Sequence, residues 1–187
     1  MSQLLGWKMK RKNILFLLGY LVLLAGCSGG GGVPLNNDGS QPTKAVIVFS
    51  LISTQRLPFR ISGLEITASL PSGVSVVTSG ARISSDLETG SASSGGRIDG
   101  SYSASKVKIM ISDFTLSQKG FGPGEFARMT CNIAAGTTLN ESDRLVIENE
   151  IASSFKAAGW NPNPNAIINP SSLNSYLQPK IAVNFLN

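Results

Sequence analysis

In 187 residues the chain carries sixteen Lys and Arg, eleven Asp and Glu and no His, for a formal charge of +5. Without an imidazole, Ser-His-Asp and Cys-His nucleophilic sites, His-ligated zinc and the His-based metalloprotease motif are excluded. A hydrolase built on two carboxylates is the one catalytic class left open.

The N-terminal stretch sets Lys8, Lys10, Arg11 and Lys12 ahead of an apolar run from Ile14 to Leu24, which ends in the small residues Ala25 and Gly26. A charged region, an apolar core of about 7–15 residues and a small-residue cleavage site make up a secretory signal. The run falls short of the roughly 20 apolar residues that a spanning helix needs. An uncleaved signal-anchor is the competing reading. Leu24-Ala25-Gly26-Cys27 resembles the lipobox of bacterial lipoproteins. That resemblance implies removal of residues 1–26 and attachment of diacylglycerol to Cys27. It also implies a palmitate-bearing protein held at the cell envelope, and Ser28 in the second position is compatible with the outer membrane. Cleavage takes away four of the sixteen Lys and Arg and none of the eleven acids, leaving a net charge of about +1. The basicity thus belongs to the signal, and a nucleic-acid partner loses its main support.

Residues 28–43, SGGGGVPLNNDGSQPT, are almost free of apolar side chains and cannot offset the entropy of ordering. With Cys27 they form a tether, 27–43, whose root-mean-square reach is roughly 20–24 Å. NNDGS (36–40) has oxygen donors but lacks the spaced ligands and closing Glu of a calcium loop. Its composition is that of a turn. SGGGG neither follows a strand nor opens a helix with Lys-Ser/Thr, so it is no phosphate loop.

From residue 44 the periodicity is mostly two. KAVIVFSLIS (44–53) is apolar on both faces, as a covered strand is. GLEITASL (63–70) turns Leu64, Ile66, Ala68 and Leu70 inward, and a Pro71-Ser72-Gly73 turn leads into a short strand from Val74 to Val77. KVKIMIS (106–112), EFARMTCNIA (125–134) and PKIAVNFLN (179–187) repeat the alternation. The fourth of these segments places Cys131 inward with Ala127, Met129 and Ile133, so it reads as a small buried core residue. A reactive or intermolecular thiol is the sharper alternative, with no His to activate it. Residues 84–105 are small and polar and read as a long loop or irregular hairpin. Residues 142–158 are ambiguous. Ile147, Ile151, Phe155 and Ala158 fit a helical stripe, with Thr138 and Glu141 spaced as a capping box and Gly159 as a stop. RLVIE alone makes a strand, and the preferred assignment is a strand over 144–149 with a short helix near 150–158. Short strands between Gly, Pro and Ser clusters predict an all-β, two-sheet sandwich.

Three carboxylate pairs suit two-carboxylate chemistry by spacing: Asp86/Glu88, Glu141/Asp143 and Glu148/Glu150. Near neighbours in polar turns are more often solvated charges, whereas catalytic pairs face each other across a cleft. Neither a cofactor nor a metal is expected. Trp160, in GWNPNPN, is the residue marked for ligand contact, with Tyr102 and Tyr176 as further aromatics. A lone Trp in an Asn-Pro loop also serves as a plug beneath that loop.

Two segments resemble the cohesin family of receptor modules. RISGLEITASLPSGVSV (60–76) matches in Gly63, Leu64, Leu70, Pro71, Val74 and Val76. KVKIMISDFTLSQKGFGPGEFARMTCNIAAG (106–136) matches as an alternating strand, a loop at Gly122 to Gly124 and a strand through Ala127 and Ile133. The resemblance implies a nine-stranded jelly roll over 44–187, shared with some carbohydrate-binding modules, and non-catalytic binding. Cohesins take calcium-loaded dockerin modules on one sheet face. The Trp160 region and the connection 152–178 depart from that pattern. The expectation is a lipid-anchored envelope adaptor for a protein partner, dockerin-like by resemblance. The alternatives are a polysaccharide-binding module and, third, a carboxylate glycosidase.

Overall fold

The computed structural model describes residues 41–113, 120–161, 166–167, 169 and 171–186. The expected signal, Cys27, NNDGS and the tether up to residue 40 lie outside them. Among the described residues, twelve strands and one α-helix follow in the order β1 (Lys44–Ser53), β2 (Arg60–Ser69), β3 (Val74–Ser75), β4 (Thr78–Ser79), β5 (Arg82–Ile83), β6 (Leu87–Thr89), β7 (Arg97–Ser103), β8 (Lys106–Ser112), β9 (Gly124–Ile133), α1 (Glu141–Ser154), β10 (Lys156–Asn161), β11 (Ala166–Ile167) and β12 (Leu177–Leu186). They form two antiparallel sheets, an all-β sandwich as expected, with more strands than the nine that the cohesin resemblance implies. The first sheet runs β12-β1-β9-β3, with β6 also on β9, and the second runs β11-β10-β2-β8-β7-β5-β4.

Alternation builds the core. Ala45, Ile47, Phe49 and Leu51 of β1 and Met129 and Cys131 of β9 are buried, as are Leu64, Ile66 and Ala68 of β2 and Val107, Ile109 and Ile111 of β8. Each large aliphatic side chain of this kind contributes about 1.5–3 kcal/mol by leaving water. Two bulges add residues to the interior. Between Phe49 and Ser50 the β1–β9 register slips so that Phe126 is the extra residue, and its ring lies 6.1 Å from that of Phe49. A second slip, opposite Ala158/Gly159, makes Ser62 the extra residue of β2, where its hydroxyl donates to the Ala158 carbonyl at 3.3 Å.

The strand preferred over 144–149 is a correction: that segment lies in the middle of a fourteen-residue helix. The capping box is also displaced from Thr138/Glu141. Asn140 is the N-cap, its side chain accepting from the Asp143 N–H at 3.1 Å while the Asp143 carboxylate accepts from the Asn140 N–H at 3.0 Å. The helix ends at Ser154, ahead of Gly159, which lies within β10. Ile147 and Ile151 are buried as the helical stripe required, whereas Leu145 and Val146 stay exposed.

α1 bridges the two sheets by completing strand edges. β10 pairs with β2 only between Arg60 and Glu65, so the far end of β2 lacks a strand neighbour on that side. There Ser154 Oγ donates to the Thr67 carbonyl at 2.7 Å and accepts from the Thr67 N–H at 3.1 Å, and the Glu150 carboxylate accepts from the Ser69 N–H at 2.5 Å. On the other sheet, Glu148 accepts from Lys180 Nζ at 2.6 Å and from the Ile181 N–H of β12 at 3.4 Å. An edge strand with open N–H groups invites pairing with another chain, and here a helix covers it.

The long loop or irregular hairpin expected over 84–105 is the other correction. Its residues form β6, which pairs with β9, a single 3₁₀ turn at Ser91–Ser93, and β7, which pairs with β8 along its whole length. Gly100 faces the interior of β7, where a Cβ would stand 2.4 Å from Leu87 Cδ2. Leu87 and Ile83 fill the core at a point where the sequence shows only a glycine.

Candidate functional site

The proposed lipid attachment residue, Cys27, lies outside the described residues. Cys131 is buried, as the alternation predicted, and burial first, with the Asp86 charge second, pushes its thiol up to about 12. A thiol held protonated in this way is a poor nucleophile at neutral pH.

The six candidate carboxylates do not converge on one cleft. Glu148 and Glu150 would share a face if extended, but on a helix they point to different sides, one to β12 and the other to β2. Asp143 closes the helix cap, and Glu141 is paired with Arg144 at 2.5 Å. Asp86 accepts from the Val77 N–H at 3.2 Å, and Glu88 sits opposite Arg128 in register. Burial works to raise the Glu148 carboxyl, but the Lys180 ammonium, the Ile181 N–H and Arg144 outweigh it and hold the group below its ordinary value of 4.5. Among the described residues no group of three or more His, Cys, Asp or Glu is placed to hold a metal ion.

The three marked aromatics are not brought together. Tyr102 faces inward on β7 and Tyr176 lies in a 3₁₀ turn ahead of β12, both packed against the core. Trp160 is half-buried on β10, opposite Arg60 and on the outward side of the second sheet, and its Nε1 is shielded from solvent. Tyr102 is opposite Val107, which is opposite Ala68, so Tyr102 and Trp160 stand at opposite ends of β2.

The outer face of the second sheet carries an arrangement that the sequence did not announce. Register places Lys156, Glu65, Met110 and Asp99 in one row across four strands, and Thr67, Lys108, Ser101 and Arg82 in the next. Glu65 receives Lys108 at 3.1 Å and Lys156 at 3.4 Å; burial opposes ionisation, but these two ammonium groups hold its carboxyl below the ordinary value. Asp99 receives both Arg82 and, at 3.0 Å, Arg97. Around Arg82, Asp99 and Gly100 lie two adjoining hollows of about 370 and 340 Å³. A single-residue β5–β7 pairing and small polar strands gave no pattern from which to foresee them.

No protein-family model matches the chain, and neither a curated protein nor a solved structure matches it.

Proposed function

We propose that this chain is a lipid-anchored, non-catalytic binding module of the bacterial cell envelope, an adaptor of cohesin type. Acyl chains on Cys27 hold it in the membrane, residues 28–43 give it reach, and the sandwich presents a sheet face or loops to a protein partner. Burial of acyl methylenes, at about 0.8 kcal/mol each, makes multi-chain anchoring stable without a spanning helix. The observation that carries the binding reading is the use of the paired carboxylates. Glu148 and Glu150 secure the helix to two strand edges, and Asp143 caps it, which leaves these acids committed to structure. No helix among the described residues is long and apolar enough to cross a membrane.

The test is capture by the full chain, in neutral detergent, from envelope and secreted fractions with and without calcium, followed by reconstitution with the purified partner. The expected result is saturable binding of one protein. Retention only on insoluble glycan would favour the polysaccharide-binding reading instead, and turnover of a glycoside would favour the glycosidase reading. The outward placement of Trp160 is the observation that keeps the glycan reading open; loss of glycan retention in Trp160→Ala would support it.

A further inference from the structure

From the paired hollows on the second sheet we infer a binding site for an acidic polysaccharide, one whose sugar residues carry carboxylates.

The geometry begins with a defect in pairing. β5 meets β7 through one residue pair, Arg82 opposite Ser101, with the Tyr102 N–H donating to the Ala81 carbonyl at 2.8 Å beside it, and β7 runs on past the short β5 towards Arg97. The hollows left there share Arg82, Asp99 and Gly100, and their volumes of about 370 and 340 Å³ sit at the lower end of the roughly 300–1,000 Å³ typical of ligand sites. Core-side Ile83, Leu87 and Ile98 line the first hollow, outward-facing Ser101, Lys108 and Met110 line the second, and Gly100 is shared between them.

The chemistry of the lining matches a charged sugar in three respects. Arg82 keeps 65% of its side chain exposed while bonded to Asp99, so the carboxylate aims the guanidinium and leaves most of its N–H groups for a ligand. Lys108 is likewise oriented by Glu65 and lines the second hollow. Cations fixed in this manner bind a carboxylate without first losing side-chain freedom. Asp99 and the Ser101 hydroxyl supply acceptors for sugar hydroxyls. Met110, 46% exposed on the same wall, supplies an apolar surface for the C–H face of a ring.

Two other polyanions fit less well. An anionic membrane is broad and would meet the exposed ends of Arg82 and Arg97 without entering either hollow. An acidic peptide gains most of its affinity from buried aromatic or Arg anchors, and neither hollow is lined by an aromatic residue. Trp160 shares this face, three strands across and four residues along, on the order of 20 Å from Asp99 by strand spacing.

The test is affinity electrophoresis of the full chain, in neutral detergent, through gels containing polygalacturonate, with calorimetry on its oligomers. Wild type is expected to be retarded. Arg82→Gln should weaken binding about tenfold, the loss of one charged hydrogen bond. Lys44→Gln, exposed on the other sheet, should change it less than about twofold, as a distant exposed charge does. Two variants separate a built site from general attraction. Asp99→Asn and Ser101→Arg both make the face more positive, so general attraction would strengthen, whereas loss of the carboxylate that aims Arg82 or filling of the hollow should weaken binding. Tighter binding in either variant, equal retardation by polyglutamate or phosphatidylglycerol vesicles, or no retardation of wild type would overturn the proposal. Thermal melts of each variant identify any that fail to fold, and Ser101→Arg decides the matter if Asp99→Asn is one of them. Binding with no protein partner captured leaves this site standing and removes the adaptor reading; the reverse result does the opposite.

Discussion

Glu148 is a carboxylate in the body of a helix, 11% exposed, with an ammonium, a guanidinium and a strand N–H around it. Hydrogen bonds to a charged group contribute about 1.5–3 kcal/mol, so Glu148→Gln should lower the unfolding free energy by that order. The sign of the pH dependence follows from its depressed pKa. The ionised group stabilises the fold above the ordinary carboxylate range, and that contribution is lost as pH falls through the folded value. Denaturant titrations from pH 7 to pH 3 should show a shallower acid limb for Glu148→Gln than for wild type. Equal slopes would mean that Glu148 is not an anchor of α1. Cys131 gives a second measurement at this scale. A thiol held near 12 in the core should react with a thiol reagent at pH 8 only as fast as the protein opens. Rapid labelling in native buffer would contradict its placement.

The turn between β7 and β8 shows why one element escaped the sequence. Ala104 and Ser105 both have positive φ, 50° and 63°, as in a type I′ hairpin turn, where Asn-Gly is the usual signal. The strand before it reads RIDGSYS, with a glycine at its central inward position, so neither the turn nor the apolar alternation was marked. Ser105→Gly should stabilise the protein by about 0.5–1 kcal/mol, the relief of left-handed strain less the entropy of a freer unfolded chain. A lower melting temperature in that variant would show that the turn is not of this kind. The helix is the converse case. RLVIE favours a strand locally, but Asn140 and Asp143 cap the segment, Arg144 pairs with Glu141 and Glu148, and Ile147 and Ile151 line one face. Asn140→Ala should cost about 1 kcal/mol by removing the cap. Strands of seven to ten residues with apolar side chains every second position were legible, β8 to its exact ends at 106–112. The hollows at Arg82 and Asp99 were not, because cross-strand register, which sequence spacing does not contain, brings those residues together.

At the scale of the whole molecule, the proposed function assigns position and binding to different parts of the chain. Without residues 1–26 the net charge is about +1, so attraction to anionic surfaces falls to local arrangements such as that on the second sheet. Ordered contacts reach past the expected boundary at residue 44: Pro42 is buried, and the Thr43 carbonyl accepts from the Ile133 N–H at 2.7 Å, which extends the β1–β9 ladder. Incorporation of labelled palmitate into wild type and Cys27→Ala, expressed in a bacterial host, tests the proposed lipid attachment. The account predicts label in wild type and none in the variant; label in both, or in neither, would contradict it.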